Sequence, residues 1–510
     1  MPCRVEWQRL PRERTVAFVI VEPTKVDPPR KGQSWWTDPA SLRALQHRLI
    51  ALAVVTTSVL FALAGLSMPG SSSNPNDGSD RTQIGGDRVG GQVGDAAARP
   101  AFGQALLPSD VSDPVVRKQA LLEQLRSRSS AVVTRNAAGY LATVDPNDET
   151  AKVNAAKAQS RLATLSFSHY DYSIDSVTSN VDGTDADPSA RAVAHVQLAY
   201  QFERFDPHPA GVELDVSFVH RDAGWRIVNE TPRGPGQLPW ESGELTVVRG
   251  MRSLVIGVAA AGSSSDRSKL EDYSRIADRA VAAVSSVWGN DWNREVVLVV
   301  PTSTWTMSRL LGRSSDSLSK IAAITTDETS SDQRGALGDA TPNQGAERIW
   351  INATLMSTLS PVGRAIVLRH EILHVASDAP AVSATPLWLE EGMAEVVGYS
   401  ASGVRIPVAL QELITDAKAG KIPRRLARPV DFGPTSTGLA QAYEESHLAC
   451  LLIASKIGTR GLVKLYRDVA AGDPRTPDEN FDQSLESATG WTRVAFMTAL
   501  RDQIRTLAKS

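Results

Sequence analysis

Residues 370–374 read His370-Glu371-Ile372-Leu373-His374, and fourteen residues beyond the second histidine the chain reads Trp388-Leu389-Glu390-Glu391-Gly392-Met393-Ala394-Glu395. On an α-helix, positions i and i+4 share a face with about 6 Å between their Cβ atoms, so both imidazoles can reach one small cation. Glu371 lies one step round the same helix, beside that cation without having to bind it. Two neutral imidazoles holding Zn2+, and a carboxylate that takes a proton from the activated water, make up the HExxH arrangement. With eight histidines in 510 residues, the five letters arise by accident in on the order of one such chain in a hundred, so context has to decide. The run at 362–368 (VGRAIVL) is apolar and helix-compatible, and Leu373 and Val375 add the buried face that such a helix needs.

A catalytic zinc wants three protein ligands and one open position. A histidine six residues after His374 would make a metzincin site, but Pro380 stands there, and Ser377 replaces the glycine expected three residues after His374. That family is excluded. A glutamate from the following helix is the other common solution. Pro386 is a suitable helix start, and Glu391 and Glu395, four apart, share a face. One of them can be the third ligand while the other hydrogen-bonds a metal-bound imidazole.

HExxH followed by W-L-x-E-G-x-A, here His370 to His374 and then Trp388 to Ala394, resembles the gluzincin (MA clan) metallopeptidases, which include thermolysin-like and aminopeptidase N-like enzymes. It is most similar to bacterial MA-type peptidases with a short E-G-x-A helix. The resemblance covers roughly residues 240–505. It implies a two-lobed zincin fold, one Zn2+ held by His370, His374 and Glu391, Glu371 as the base, and Glu395 orienting His370. A third element, Ala442-Tyr443-Glu444-Glu445-Ser446-His447-Leu448, opens an apolar helical run that continues to Gly458; related peptidases often carry an A-Y-x-x-S helix here. In gluzincins a downstream tyrosine or histidine donates a hydrogen bond to the oxyanion. Tyr443 and His447 are the candidates, Tyr443 preferred, with a merely packed aromatic as the alternative reading of Tyr443.

The chain also departs from its relatives. Only sixteen residues separate His374 from Glu391, and there is no G-x-M-E-N segment, so aminopeptidase activity is not supported. Gluzincins lay substrate along an edge strand ahead of the zinc helix. Residues 321–326 (IAAITT) are the candidate strand, although a buried strand of small residues reads the same.

Residues 49–68 run for twenty residues without a charge, which is long enough to span a bilayer. Residues 1–48 carry nine Lys/Arg against five Asp/Glu, and residues 69–100 carry three Arg against four Asp. The positive-inside rule then sets residues 1–48 in the cytoplasm as an arm and everything after 68 outside. A cleavable leader ending at Ala62-Leu63-Ala64 competes, but the arm is too long for an ordinary leader. Leu66 stands where a lipidated cysteine would be needed. Cys3 and Cys450 would then lie on opposite sides, which leaves no internal disulfide. Cys450, in an apolar run, reads as a core residue.

The expected fold class is α+β: a single transmembrane helix, a flexible linker at 69–110, an α+β cone over 111–235 and the two-lobed, thermolysin-like domain over 240–510. The linker is rich in Gly, Ser, Asp and Pro. The cone opens with a helix over 114–136, with 138–144 as its continuation or a second short helix. Strands follow at 166–175, 192–205, 212–221 and 224–229. The pieces Ala120-Leu121-Leu122, Tyr140-Leu141-Ala142-Thr143-Val144-Asp145-Pro146 and Gly224-Trp225-Arg226-Ile227 resemble the nuclear transport factor 2-like superfamily. That fold often makes a pocket, but His169, His195 and His220 are scattered along strands and read as ordinary strand histidines. The cone therefore reads as a spacer or docking module. In the catalytic part, strands are expected over 245–256, 295–301 and 347–352, a long helix over 268–287, and a mobile loop at 327–346. Trp288, Trp292 and Trp305 read as packing residues.

A formal net charge of −3 gives no basic footprint for nucleic acid, and Arg424-Arg425-Leu426-Ala427-Arg428 is too short a cluster to alter that. There is no Gly-rich phosphate loop and no internal repeat. The expected function is a membrane-anchored, extracytoplasmic zinc metallopeptidase acting on a peptide or protein substrate, or on a cell-envelope peptide or amide. The alternative from another class is an inactive zinc-binding scaffold whose cone recruits a partner; the intact Glu371 argues against it.

Overall fold

The computed structural model describes residues 16–18, 113–178, 191–221, 224–234, 236–327, 346–377, 384–433 and 436–509. They open with a three-residue strand, β1 (Val16–Phe18), and resume with helices α1 (Pro114–Val133) and α2 (Glu149–Leu162). Asp113 caps α1 by accepting from the Val115 and Val116 amides, with Pro114 in the first turn, and Asp148 caps α2. A short helix, Ala137–Ala142, lies between them, so the 138–144 segment is a separate element. Strands β2 (Phe167–Thr178), β3 (Arg191–Phe202), β4 (Ala210–Arg221) and β5 (Gly224–Pro232) form an antiparallel sheet in sequence order. On β3 every second residue, Ala192, Ala194, Val196, Leu198, Tyr200 and Phe202, is buried, and these pack with Leu121, Leu125, Tyr140 and Trp225 as the interior of the cone.

The second sheet holds β1 together with β6 (Glu244–Arg249), β7 (Ser253–Ala259), β8 (Val296–Pro301), β9 (Ala323–Asp327) and β10 (Glu347–Ile351). Their order is β1-β9-β10-β8-β7-β6. SLVIGVA and VVLVVP, the sequences of β7 and β8, are buried at every position, as parallel strands covered on both faces are. Their crossover is the long helix α3 (Arg267–Trp288), capped by Asp266 and stopped at Gly289, whose φ is 111°. β9 runs antiparallel to β10 on one side and to β1 on the other, with Val16 opposite Thr325 and Phe18 opposite Ala323.

Helices α4 (Pro361–Ser377), α5 (Leu387–Tyr399), α6 (Gln411–Lys418), α7 (Leu439–Ala470), α8 (Pro477–Thr489) and α9 (Arg493–Lys509) complete the chain. α7 is broken at Gly458, whose φ of 75° is not helical, so the apolar run that opens at Ala442 does break there before the helix resumes. One face of the six-stranded sheet, through Val296, Leu298, Val300, Ile349 and Ile351, packs into a core shared with α3, α4, α5 and α7. The other face, through Leu254, Ile256, Val297, Val299 and Trp350, joins the core of the cone. Trp240 is the seam, packing edge-on against Phe167, Tyr200 and Phe202. A buried ion pair crosses the same seam: Arg348 on β10 donates to both oxygens of Asp206 in the β3–β4 loop, at 2.6 and 2.8 Å. All described residues belong to one compact unit.

The expected membrane-spanning fold class and single-pass placement are corrected here. Among the described residues no helix is long and apolar enough to cross a membrane. The fold is α+β with two sheets. The pairing of β1 with β9 also sets residues 16–18 on the same side as the six-stranded sheet, whereas the positive-inside rule sets them on the opposite side. Hydropathy and flanking charge, which mark a membrane span in sequence, carry no information about a strand partner some three hundred residues away. The segment at 49–68, the linker at 69–110 and most of the loop at 327–346 lie outside the described residues. The sequence reading also places no element over Glu149–Leu162. Its buried positions include Ala151, Ala155 and Leu162, too small an apolar stripe to announce a helix.

Candidate metal centre

α4 starts at Pro361 with Ser360 Oγ accepting the Gly363 amide, and its run of buried residues carries His370 and Glu371 into the interior with no exposed surface. α5 crosses it so closely that a Cβ at Gly398 would lie 3.1 Å from the Ile366 carbonyl oxygen. Arg369, beside the first histidine, donates to the Ser400 carbonyl at 2.6 Å and so ties α4 to the end of α5. These contacts fix the register in which the two helices face one another. His370 Nε2 and His374 Nε2 lie 3.3 and 3.7 Å from the same oxygen, Glu391 Oε2. All three ligand atoms fall within 4.8 Å of one another. Glu395, one turn further along α5, approaches the other nitrogen of His370, with Oε1 3.2 Å from Nδ1.

The letters of the second motif have separate structural reasons. Trp388 anchors α5 among the C-terminal helices, with its ring edge-on to Phe481 at 4.8 Å. Gly392 is where α5 meets α7: a Cβ there would stand 2.4 Å from the Ser446 carbonyl oxygen and 2.7 Å from Cys450 Sγ. No residue with a side chain fits without moving one of these helices. Tyr443 is thereby brought beside the centre, its ring 6.1 Å from that of His370 and edge-on to Phe432. His447, one turn along, instead stacks on Tyr399 at 5.1 Å.

Burial dominates the electrostatics. It lowers His370 to about 4, which keeps the imidazole neutral and its lone pair available. It lowers His447 to about 3, with the nearby His370 adding to the effect. It raises Glu371 well above the usual carboxylate range against the opposing Thr325 hydrogen bond, and raises Glu395 to about 8. Tyr443 is raised well above ordinary phenols by burial and then by Glu391, Glu371 and Glu395, so its hydroxyl keeps its proton. Among the described residues no cationic side chain contributes to the shifts of Glu371 and Glu395.

His370, His374 and Glu391 could together hold a metal ion. The distances suit one: donors about 2.0–2.2 Å from a tetrahedral ion lie about 3.4 Å apart, close to the 3.3 and 3.7 Å observed. A group of buried carboxylates without a cation is costly, and a divalent ion would offset that cost. Glu371 has the form of a base beside such an ion. Its Oε2 accepts from the Thr325 hydroxyl at 2.7 Å, while its buried Oε1 has no hydrogen-bond partner.

The remaining singled-out residues lie elsewhere. His195 pairs with Asp215 at 2.5 Å on the cone sheet, and His220 packs against Trp225. Trp288 packs on Tyr466, and Trp305 is exposed beneath Arg309. Cys450 is buried, and its thiol is pushed up by burial. The sequence reading missed Thr325. Its strand was legible, but no local signal marks one threonine of β9 as the partner of a helix residue far along the chain. Searched against models of known protein families the chain matches none, and no curated protein matches it.

Proposed function

We propose that this protein is a zinc-dependent hydrolase of peptide bonds, similar in its motifs to gluzincin metallopeptidases. One observation carries the reading: two histidines of α4 and a glutamate of α5 converge on one buried point, with an unpartnered oxygen of Glu371 on the same turn of helix. Two imidazoles and a carboxylate with a fourth position open are a donor set that suits Zn2+. When bound, Zn2+ would polarise a carbonyl and acidify water. Glu371 Oε1 takes a proton from the attacking water and returns it to the leaving amine, while Oε2 stays held by Thr325. Glu395, with Oε1 3.2 Å from His370 Nδ1, stands where it can orient that ring with Nε2 toward the Glu391 side. Tyr443 donates its hydroxyl proton in a hydrogen bond to the oxyanion; His447, stacked on Tyr399, serves as packing. β9 is paired on both sides, by β10 and by β1, so the substrate edge expected over 321–326 is taken by the chain's own residues 16–18.

The test is elemental analysis of the purified full-length protein beside peptide hydrolysis. About one zinc per chain is expected, largely lost in Glu391→Ala and in His374→Ala. Glu371→Gln should keep the zinc and lose about 100-fold or more of the activity. Wild type without zinc, even after incubation with the metal, would sink the reading. Undiminished hydrolysis in Glu371→Gln would remove Glu371 as the base, and zinc without hydrolysis of any peptide would favour a scaffold.

A further inference from the structure

Thr325 is fixed from three directions. Its backbone pairs with Ile349 of β10 on one side and with Val16 of β1 on the other, and it is almost wholly buried. Its side chain is β-branched, with few rotamers open to it. The hydroxyl has one proton and two acceptors in range: the carboxylate oxygen Oε2 of Glu371 at 2.7 Å and the Glu371 carbonyl at 3.3 Å. The shorter contact, to the group that carries charge when ionised, is the stronger. Glu371 by contrast hangs on three rotatable bonds, and its other oxygen, Oε1, has no partner.

We propose that Thr325 is a positioning residue for the base: it holds Glu371 by Oε2, so that Oε1 is the oxygen presented to the water and to the leaving amine. This rests on the hydrolase reading above. A glutamate without that donor keeps its chemistry but loses its aim, because a buried carboxylate turns toward whatever donor it can reach. The sheet supplies the rigidity, since the donor sits on a strand paired on both sides and not on a loop. A strand lying along the outer edge of β9, where β1 lies, pairs with the residue that holds the base. Placement of β1 and alignment of Glu371 therefore share one residue.

Valine has the shape of threonine without the hydroxyl, and serine has the hydroxyl without the methyl. In the zinc-loaded, full-length protein Thr325→Val should lower kcat about 10- to 100-fold, the usual cost of removing an outer partner of a metal site, with KM and zinc content unchanged. Thr325→Ser should restore kcat to near the wild-type value, which a role in packing alone would not do. Crystal structures give a readout apart from activity: the Glu371 carboxylate should leave its position in Thr325→Val and keep it in Thr325→Ser. Wild-type kcat in Thr325→Val, or an unmoved Glu371 carboxylate, would overturn the proposal. If the valine variant does not fold, Thr325→Ala carries the same expectations. If wild type cleaves no peptide, the hydrolase reading fails on its own, and the crystal structures still decide whether Thr325 holds Glu371.

Discussion

Glu371, buried, and Glu241, half-buried, show how differently two poorly solvated carboxyls can be used. Glu371 sits at the centre with one oxygen held and one unpartnered. Glu241 lies where the cone meets the six-stranded sheet, raised from 4.5 to about 8 by burial, then by the charge of Glu230, with Arg128 opposing. The folded chain therefore holds a proton on Glu241 that the unfolded chain releases between pH 4.5 and about 8. Stability from that proton is fully present below the lower value and is lost as pH rises through the upper one. Glu241→Gln, which cannot ionise, should gain on wild type in thermal melts as pH rises from 5 to 8; parallel curves would mean that Glu241 titrates normally. His370 and His374 were legible because helical spacing converts sequence into geometry, whereas the following helix offered both Glu391 and Glu395, and only the family resemblance chose Glu391. Thr325 was not legible, because its contact with α4 is tertiary. Nor was the choice between Tyr443 and His447, which depends on how α7 is rotated against α5.

At the scale of elements, the glycine of the E-G pair is a packing requirement of two helices. Gly392→Ala would drive a methyl group against the Ser446 carbonyl and the Cys450 sulfur, separating α5 from α7. Overpacking of this kind costs about 1–3 kcal/mol, and because Glu391 is the adjacent residue, zinc affinity should fall with stability. Urea unfolding and zinc competition on the same variant would check both; a stable variant with unchanged affinity would show that α7 yields easily. Alternation and apolar runs placed β2 to β5, β8, β10 and α3 to within a few residues, since burial on one face or both writes itself into period-two and continuous patterns. The helix over Glu149–Leu162 escaped because it packs on alanines. The pairing of β9 with β1 escaped because three residues carry no pattern.

Across the whole molecule the six-stranded sheet is shared: the metal helices cover one face and the cone the other. Composition could separate the two chain segments but could not show that they bury each other. The Asp206–Arg348 pair fastens that seam, with both side chains at most 2% exposed. Asp206→Ala should cost about 3–5 kcal/mol by leaving a buried guanidinium uncompensated, whereas Asp206→Leu with Arg348→Met should recover most of the loss. A single urea transition followed by tryptophan fluorescence would report both halves melting together; two transitions would show that the seam is weaker than its burial implies. The same tight interior has a further use. Cys450 stands with no exposed surface against Gly392, between the helix that carries Glu391 and the one that carries Tyr443. With Cys3 replaced by serine, its thiol becomes a clock: an alkylating reagent can reach the sulfur only when these helices part, so the labelling rate counts openings of this core. A metal ion held by His370, His374 and Glu391 would join α4 to α5 and should slow that clock.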